Sequence, residues 1–152
     1  LDAGVEPCGL GSRDTLRTEA ALPLYGHEIS ETIDPLTAGL DFAVKMDKPD
    51  FIGKSGLIAR GTPTLKRVGL KVVGRGVIRD HQDVYDGDKK IGFVSSGTFM
   101  AWLNASAGMA FVSPEYAVVG KQLEVDVRGR RVAVEVAELP FYNTAREIPV
   151  LD

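Results

Sequence analysis

The chain has 152 residues and a single cysteine, Cys8, so it can form no internal disulfide and no multi-cysteine metal site. That scarcity is consistent with a reducing compartment. Histidine is nearly absent too: His27 and His81 stand far apart in the sequence, with no metal-ligand spacing between them. There is no excess of basic residues. Lys and Arg number 18 against 21 Asp and Glu, a formal charge of −3, which argues against nonspecific nucleic-acid binding. No apolar run approaches the ~20 residues that span a bilayer. No secretory leader is expected, because Asp2 and Glu6 flank only a short mixed stretch, although the chain opens at Leu1 and not at methionine. Internal repeats and low-complexity tracts are missing as well. What remains is an ordinary globular composition, 44% apolar and 26% charged.

The pattern changes near Gly61. Before it the signals are helical or mixed. Cys8-Gly9-Leu10-Gly11 leads to Ser12, which reads as a helix N-cap with Asp14 in the first turn. Leu16 and Ala20 then fall one turn apart, and Pro23 ends the helix by Leu22. Asp34-Pro35 is a second start, cap followed by N1 proline. Residues 41–45 read as a strand with Phe42 and Val44 on one face, and residues 54–59 as a third, short helix. These first 60 residues hold too little regular structure for an independent core, since domains below roughly 40–60 residues are marginal without disulfides or metal. They read as the end of a larger domain.

Gly61-Thr62-Pro63 reads as a linker. After it the period is two. Val68, Leu70 and Val72 share a face, and Tyr85 and Phe93 flank the hairpin signal Asp86-Gly87-Asp88. Met109 and Phe111 alternate with Ala110 and Val112; Leu123, Val125 and Val127 face Val132, Val134 and Val136 across a turn at Gly129. Short strands joined by glycine turns predict a small antiparallel barrel or sandwich. The class is therefore α+β: residues 1–60 close an α+β domain, residues 61–146 form a small antiparallel β-barrel closed by Phe141, and residues 147–152 are a tail.

Several residues invite a functional reading that the bland one outweighs. Gly9-Leu10-Gly11 lacks the third glycine and the strand-helix-strand setting of a dinucleotide loop. Cys8 has no histidine near it in sequence and reads as a packed thiol. His27 and His81 read as surface residues. Lys66-Arg67 and Arg128-Gly129-Arg130-Arg131 border strands or turns and read as solvated edges.

One ordered set of motifs is specific. Pro7-Cys8-Gly9-Leu10-Gly11-Ser12-Arg13-Asp14-Thr15-Leu16-Arg17 is followed by Glu19-Ala20 and Leu24-Tyr25-Gly26, then by Ala43-Val44-Lys45 and Asp50-Phe51-Ile52-Gly53-Lys54. Val68-Gly69-Leu70, Ser96-Gly97-Thr98-Phe99, Val112-Ser113-Pro114-Glu115-Tyr116 and Leu139-Pro140-Phe141-Tyr142 complete it. The run resembles the carboxy-terminal portion of the aminomethyltransferase family, the T-protein of the glycine cleavage system.

The resemblance implies a folate-binding domain finished by a barrel. It implies transfer of a one-carbon unit from an aminomethyl group on the lipoyl arm of a carrier protein, the H-protein, to tetrahydrofolate, which serves as substrate; ammonia leaves. No metal, nucleic acid or membrane enters this chemistry. The family's reacting aspartate and a pterin-holding glutamate would precede Leu1, so no catalytic residue is expected in this chain and the fragment alone should be inactive. The arginine of the family's Gly-x-Arg-Asp motif contacts folate and falls on Arg13. The residues give that role a physical basis: an arginine fork at a helix N-terminus suits the glutamyl carboxylates of folate, while the bland reading is a surface pair with Asp14 or Glu19. A second family contact, often basic or tyrosine, lies beyond the Pro-Phe-Tyr run; Arg146 is the basic candidate for it, and its bland reading is a solvated tail residue. The setting implied is the bacterial cytoplasm or the mitochondrial matrix.

Two stretches depart from the family. Met100-Ala101-Trp102-Leu103-Asn104-Ala105 replaces a Ser-Pro-x-Leu stretch, and Thr18 and Ala21 replace a leucine and a glycine. The first leaves room for a relative: the folate-binding tail of a dimethylglycine or sarcosine oxidising flavoenzyme, or a non-catalytic folate-binding assembly protein of the same fold.

Overall fold

The computed structural model describes residues 3–101 and 103–141. Its elements are α1 (Leu10–Glu19), α2 (Lys54–Arg60), β1 (Lys66–Val72), β2 (Asp83–Asp86), β3 (Lys89–Met100), β4 (Ala105–Val112), β5 (Gln122–Val127) and β6 (Arg130–Ala137). The six strands form a closed antiparallel barrel in the order β1-β4-β3-β2-β5-β6, with β6 pairing back to β1. Closure leaves the sheet no free edge.

The period-2 pattern builds this barrel directly. Val68, Leu70 and Val72 of β1 enter a core with Ile78, Val84, Ile91, Val94, Ala110, Val112, Leu123, Val125, Val134 and Val136. Leu123 stands opposite Val134 and Val125 opposite Val132, as the alternation across Gly129 predicts. The turn between them has both central residues, Arg128 and Gly129, at positive φ (56° and 79°), the geometry that matches strand twist in a two-residue hairpin.

β4 is buried on both sides. Ala110 and Val112 face the barrel interior, whereas Met109 and Phe111, also fully buried, lie on the outer face. The amino-terminal segment covers them: α1 packs against β3 and β4. Arg67, on the outer face of β1, donates to the Ala21 carbonyl at 3.2 Å and reaches the Met109 sulfur at 3.8 Å. It is part of a partly buried interface and not of the solvated edge expected for Lys66-Arg67. Burial lowers its pKa from the ordinary arginine value, with the charge of Glu28 acting the other way.

Other sequence expectations are corrected. Residues 41–45 form no strand: Asp41–Ala43 is a 3-10 turn, and Phe42 is 71% exposed. A strand needs a neighbour for its backbone groups, and among the described residues none pairs there. α1 begins at Leu10 with Gly9 as N-cap, so Ser12 lies inside it and bonds back to the Gly9 carbonyl at 2.6 Å. Asp34 does cap, accepting from the Leu36 and Thr37 N–H groups at 2.9 Å each, but the turn ends at Gly39 (φ 70°) and no helix follows. Cys8 is exposed and not packed.

Phe141 lies after the last strand and outside the core. Its ring sits over the outer face of β1 at Gly69, where an added Cβ would come within 3.0 Å of it, and its N–H donates to the Glu19 carbonyl at 3.2 Å. Tyr142, Trp102 and the tail lie outside the described residues.

Candidate functional site

Arg13 is the fourth residue of α1 and is exposed. The helix start around it has no side-chain cap on Gly9 and no acidic residue in its first turn. Unpaired N–H groups and the positive end of the helix dipole therefore stand beside an arginine fork, which together favour an anion. The surface next to it is a depression of about 820 Å³ lined by Cys8, Leu10, Arg13, Leu16, Leu22 and Pro23, among others. Leu10, Leu16 and Leu22 are 83%, 65% and 57% exposed, so the wall beside the cationic group is apolar. A ligand with a flat or apolar body and a terminal carboxylate suits this combination of surfaces.

Asp14 does not pair with Arg13, as the bland reading expected. It is held by Arg17, whose Nε and Nη2 donate to its Oδ1 at 2.7 and 2.5 Å. Arg13 is thus left to face the depression. Arg146, the second candidate contact, lies outside the described residues.

Behind α1 is a buried polar cluster that sequence reasoning missed. Glu28 is fully buried. Its Oε2 accepts from Arg17 Nη1 at 2.9 Å and from the Leu24 N–H at 3.0 Å, and its Oε1 accepts from the Ser96 hydroxyl at 2.6 Å. Helix, loop and barrel strand therefore meet on one carboxylate. A register shift in β3 between Val94 and Ser96 prepares the barrel side of this contact. The extra residue, Ser95, turns its carbonyl to His27 Nδ1 at 2.9 Å and leaves the Ser96 hydroxyl to Glu28. Only the Asp14–Arg17 pair, three apart on a helix, carried a readable signal.

His27 is held by that bond and is half-buried, not the surface residue expected, and its ring lies 6.5 Å from that of exposed His81. Sequence distance had hidden this pairing. Among the described residues, no group of three or more His, Cys, Asp or Glu is arranged to hold a metal. None of their helices is long and apolar enough to cross a membrane.

Comparison with known proteins gives the geometry a context. Residues 66–143 match the family described as "Glycine cleavage T-protein C-terminal barrel domain", and residues 1–48 match the "GCVT N-terminal domain". The chain is 46% identical over 149 residues to an aminomethyltransferase of Bacillus cereus, covering 95% of this chain and 40% of that protein. It is 44% identical over 148 residues to an aminomethyltransferase of Thermosynechococcus vestitus, covering 96% of this chain and 40% of that one. Among solved structures, the glycine cleavage system aminomethyltransferase T from Bartonella henselae superposes with a TM-score of 0.85 at 34% identity, over 93% of this chain and 41% of the other. The chain thus spans about two fifths of the length of these relatives.

Proposed function

Because the chain belongs to the glycine cleavage T-protein family of aminomethyltransferases, we propose that the complete protein moves a one-carbon unit from an aminomethyl-lipoyl carrier, the H-protein, to tetrahydrofolate and releases ammonia. The observation that carries this reading is the 46% identity to a protein named aminomethyltransferase across 95% of the chain. The exposed arginine at an uncapped helix start beside an apolar wall supports it.

In this reading residues 1–60 complete a folate-binding domain, residues 61–146 form its barrel partner and residues 147–152 a tail. Arg13 holds a glutamyl carboxylate of the folate, and Arg146 is a second basic contact. The reaction breaks the bond between the lipoyl sulfur and the aminomethyl carbon. Its bond to the amino nitrogen breaks as well, and the carbon forms two new bonds to two folate nitrogens that it bridges as a methylene. The two protons those nitrogens lose go to the lipoyl sulfur, leaving the dihydrolipoyl carrier, and to the departing ammonia. The carboxylate that assists at the reacting nitrogen belongs to the region upstream of this chain, so this chain supplies folate contacts and no catalytic group. The setting is the bacterial cytoplasm or the mitochondrial matrix.

The test is turnover. The complete protein, given aminomethylated carrier and tetrahydrofolate, should release ammonia in a folate-dependent way, and the 152-residue chain alone should not. Turnover by the isolated chain would refute the placement of the assisting carboxylate upstream. Absence of turnover in the complete protein would refute the reaction.

A further inference from the structure

α1 is a weak helix taken alone. It has ten residues, no side-chain cap and Gly11 in its first turn, and isolated helices shorter than ~12–15 residues are marginal in water. What fixes its position must come from tertiary ties. Besides the bond from the Phe141 N–H to the Glu19 carbonyl at its end, side-chain polar ties of the helix converge on one carboxylate. Arg17, one turn beyond Arg13 on the same helix face, spans from Asp14 to Glu28. Glu28 in turn takes the Ser96 hydroxyl of β3 at 2.6 Å and the Leu24 N–H at 3.0 Å. Each bond is directional, and together they specify the rotation of α1 about its own axis. An apolar contact of similar size does this poorly. A buried ionic cluster contributes little net stability against well-packed apolar residues, so its distinctive contribution here is geometric. Arg67 on β1, near enough for the charge of Glu28 to act on it, adds a second cation on the barrel side.

We propose that Glu28 is a positioning residue: through Arg17 and Ser96 it fixes α1 on the barrel and so sets where the Arg13 guanidinium stands, making folate affinity depend on a carboxylate that touches no ligand. The inference rests on the folate reading of Arg13.

A double-mutant cycle in the complete protein tests it, with tetrahydrofolate affinity measured by calorimetric titration and melting checked for every variant. Arg13→Ala should weaken binding about 10- to 100-fold, the scale of one hydrogen bond to a charged group. Glu28→Ala should weaken it about 10-fold when Arg13 is present and less than about 2-fold when Arg13 is already alanine. Its KM for the carrier should not move. Glu28→Gln should recover most of the affinity, because the amide oxygen can accept both donors at the Oε2 position and the amide nitrogen can donate to Ser96. If Glu28→Ala fails to fold, Ser96→Ala carries the test. It removes only the barrel tie, and its smaller loss, about 3-fold, should also vanish in the Arg13→Ala background.

Multiplying effects of Glu28 and Arg13, or a loss in Arg13→Ala with none in Glu28→Ala or Ser96→Ala, would overturn the positioning role and leave the folate reading intact. No loss in Arg13→Ala itself would overturn the folate reading and this inference with it.

Discussion

Replacing Gly108 by alanine should destabilise the barrel far more than one added methyl group suggests. A Cβ built at Gly108 lies 2.1 Å from the Ser96 carbonyl oxygen and 2.8 Å from the Gly97 Cα, both backbone atoms of the neighbouring strand. A carbon and an oxygen settle at about 3.3 Å even in favourable contact, so β3 and β4 must part by roughly 1 Å. Overpacking of this kind costs about 1–3 kcal/mol. Parting the strands stretches the ladder bonds around the Gly97–Gly108 pair, and losing one or two of them adds about 0.5–1.5 kcal/mol each. The sum, roughly 1.5–6 kcal/mol, is a large share of the 5–15 kcal/mol that holds a typical domain. Urea denaturation of the chain followed by circular dichroism reads this directly. With a slope near 2 kcal/mol/M, the midpoint should fall by about 0.75–3 M. Gly11→Ala is the control. An added Cβ there meets nothing within 4 Å, and the residue lies in α1, so it should gain up to about 1 kcal/mol. A Gly108→Ala midpoint equal to wild type would refute the reasoning from close approach, as would a loss of equal size in both variants.

Two further outcomes are expected. Limited proteolysis should cut first between residues 59 and 65, where all but Pro63 and Leu65 are exposed, and leave the barrel as the resistant product; early cuts inside the strands would refute that boundary. Acid should loosen the turn capped by Asp34. Burial works upward on its carboxyl, but the bonds from Thr37 and Leu36 and the charge of Arg60 outweigh that and hold its pKa below the ordinary 3.8. A depressed folded pKa contributes stability that is fully present above 3.8 and is lost as pH falls through the lower folded value. Asp34→Asn should therefore flatten the stability curve below that pH. An unchanged slope would show that the cap does not titrate with folding.

The barrel was legible because its signal is local. Alternation in β1, β5 and β6 and the glycine turn at Gly129 each state their own geometry within a few residues, and every strand found its partner inside the chain. Residues 41–45 carry the same alternation without a partner, so pattern and structure part there. The Glu28 cluster was illegible for a different reason. Its members come from a helix, a loop and a bulged strand, and Ser96 faces Glu28 only because β3 shifts register beside it. Nothing in the spacing of Glu28 announces a serine 68 positions away. Arg13 was legible as a candidate from its motif, and its exposure at an uncapped helix start fits that role. Phe141 was misread because the Leu-Pro-Phe-Tyr run follows the last strand and does not belong to it; the ring fills the space above Gly69 on the outer wall.

In the proposed function, Arg13 serves a carboxylate ligand and not the fold. The direct test is calorimetric titration of the complete protein with tetrahydrofolate, comparing wild type, Arg13→Ala and Arg13→Lys. Arg13 has no ion pair among the described residues, since Asp14 belongs to Arg17, so melting should be unchanged in all three proteins. Arg13→Ala should weaken binding by about 1.5–3 kcal/mol. Arg13→Lys should recover only part of this, because lysine keeps the charge and loses the planar fork. Equal folate affinity in the three proteins would contradict the account and leave Arg13 a surface arginine.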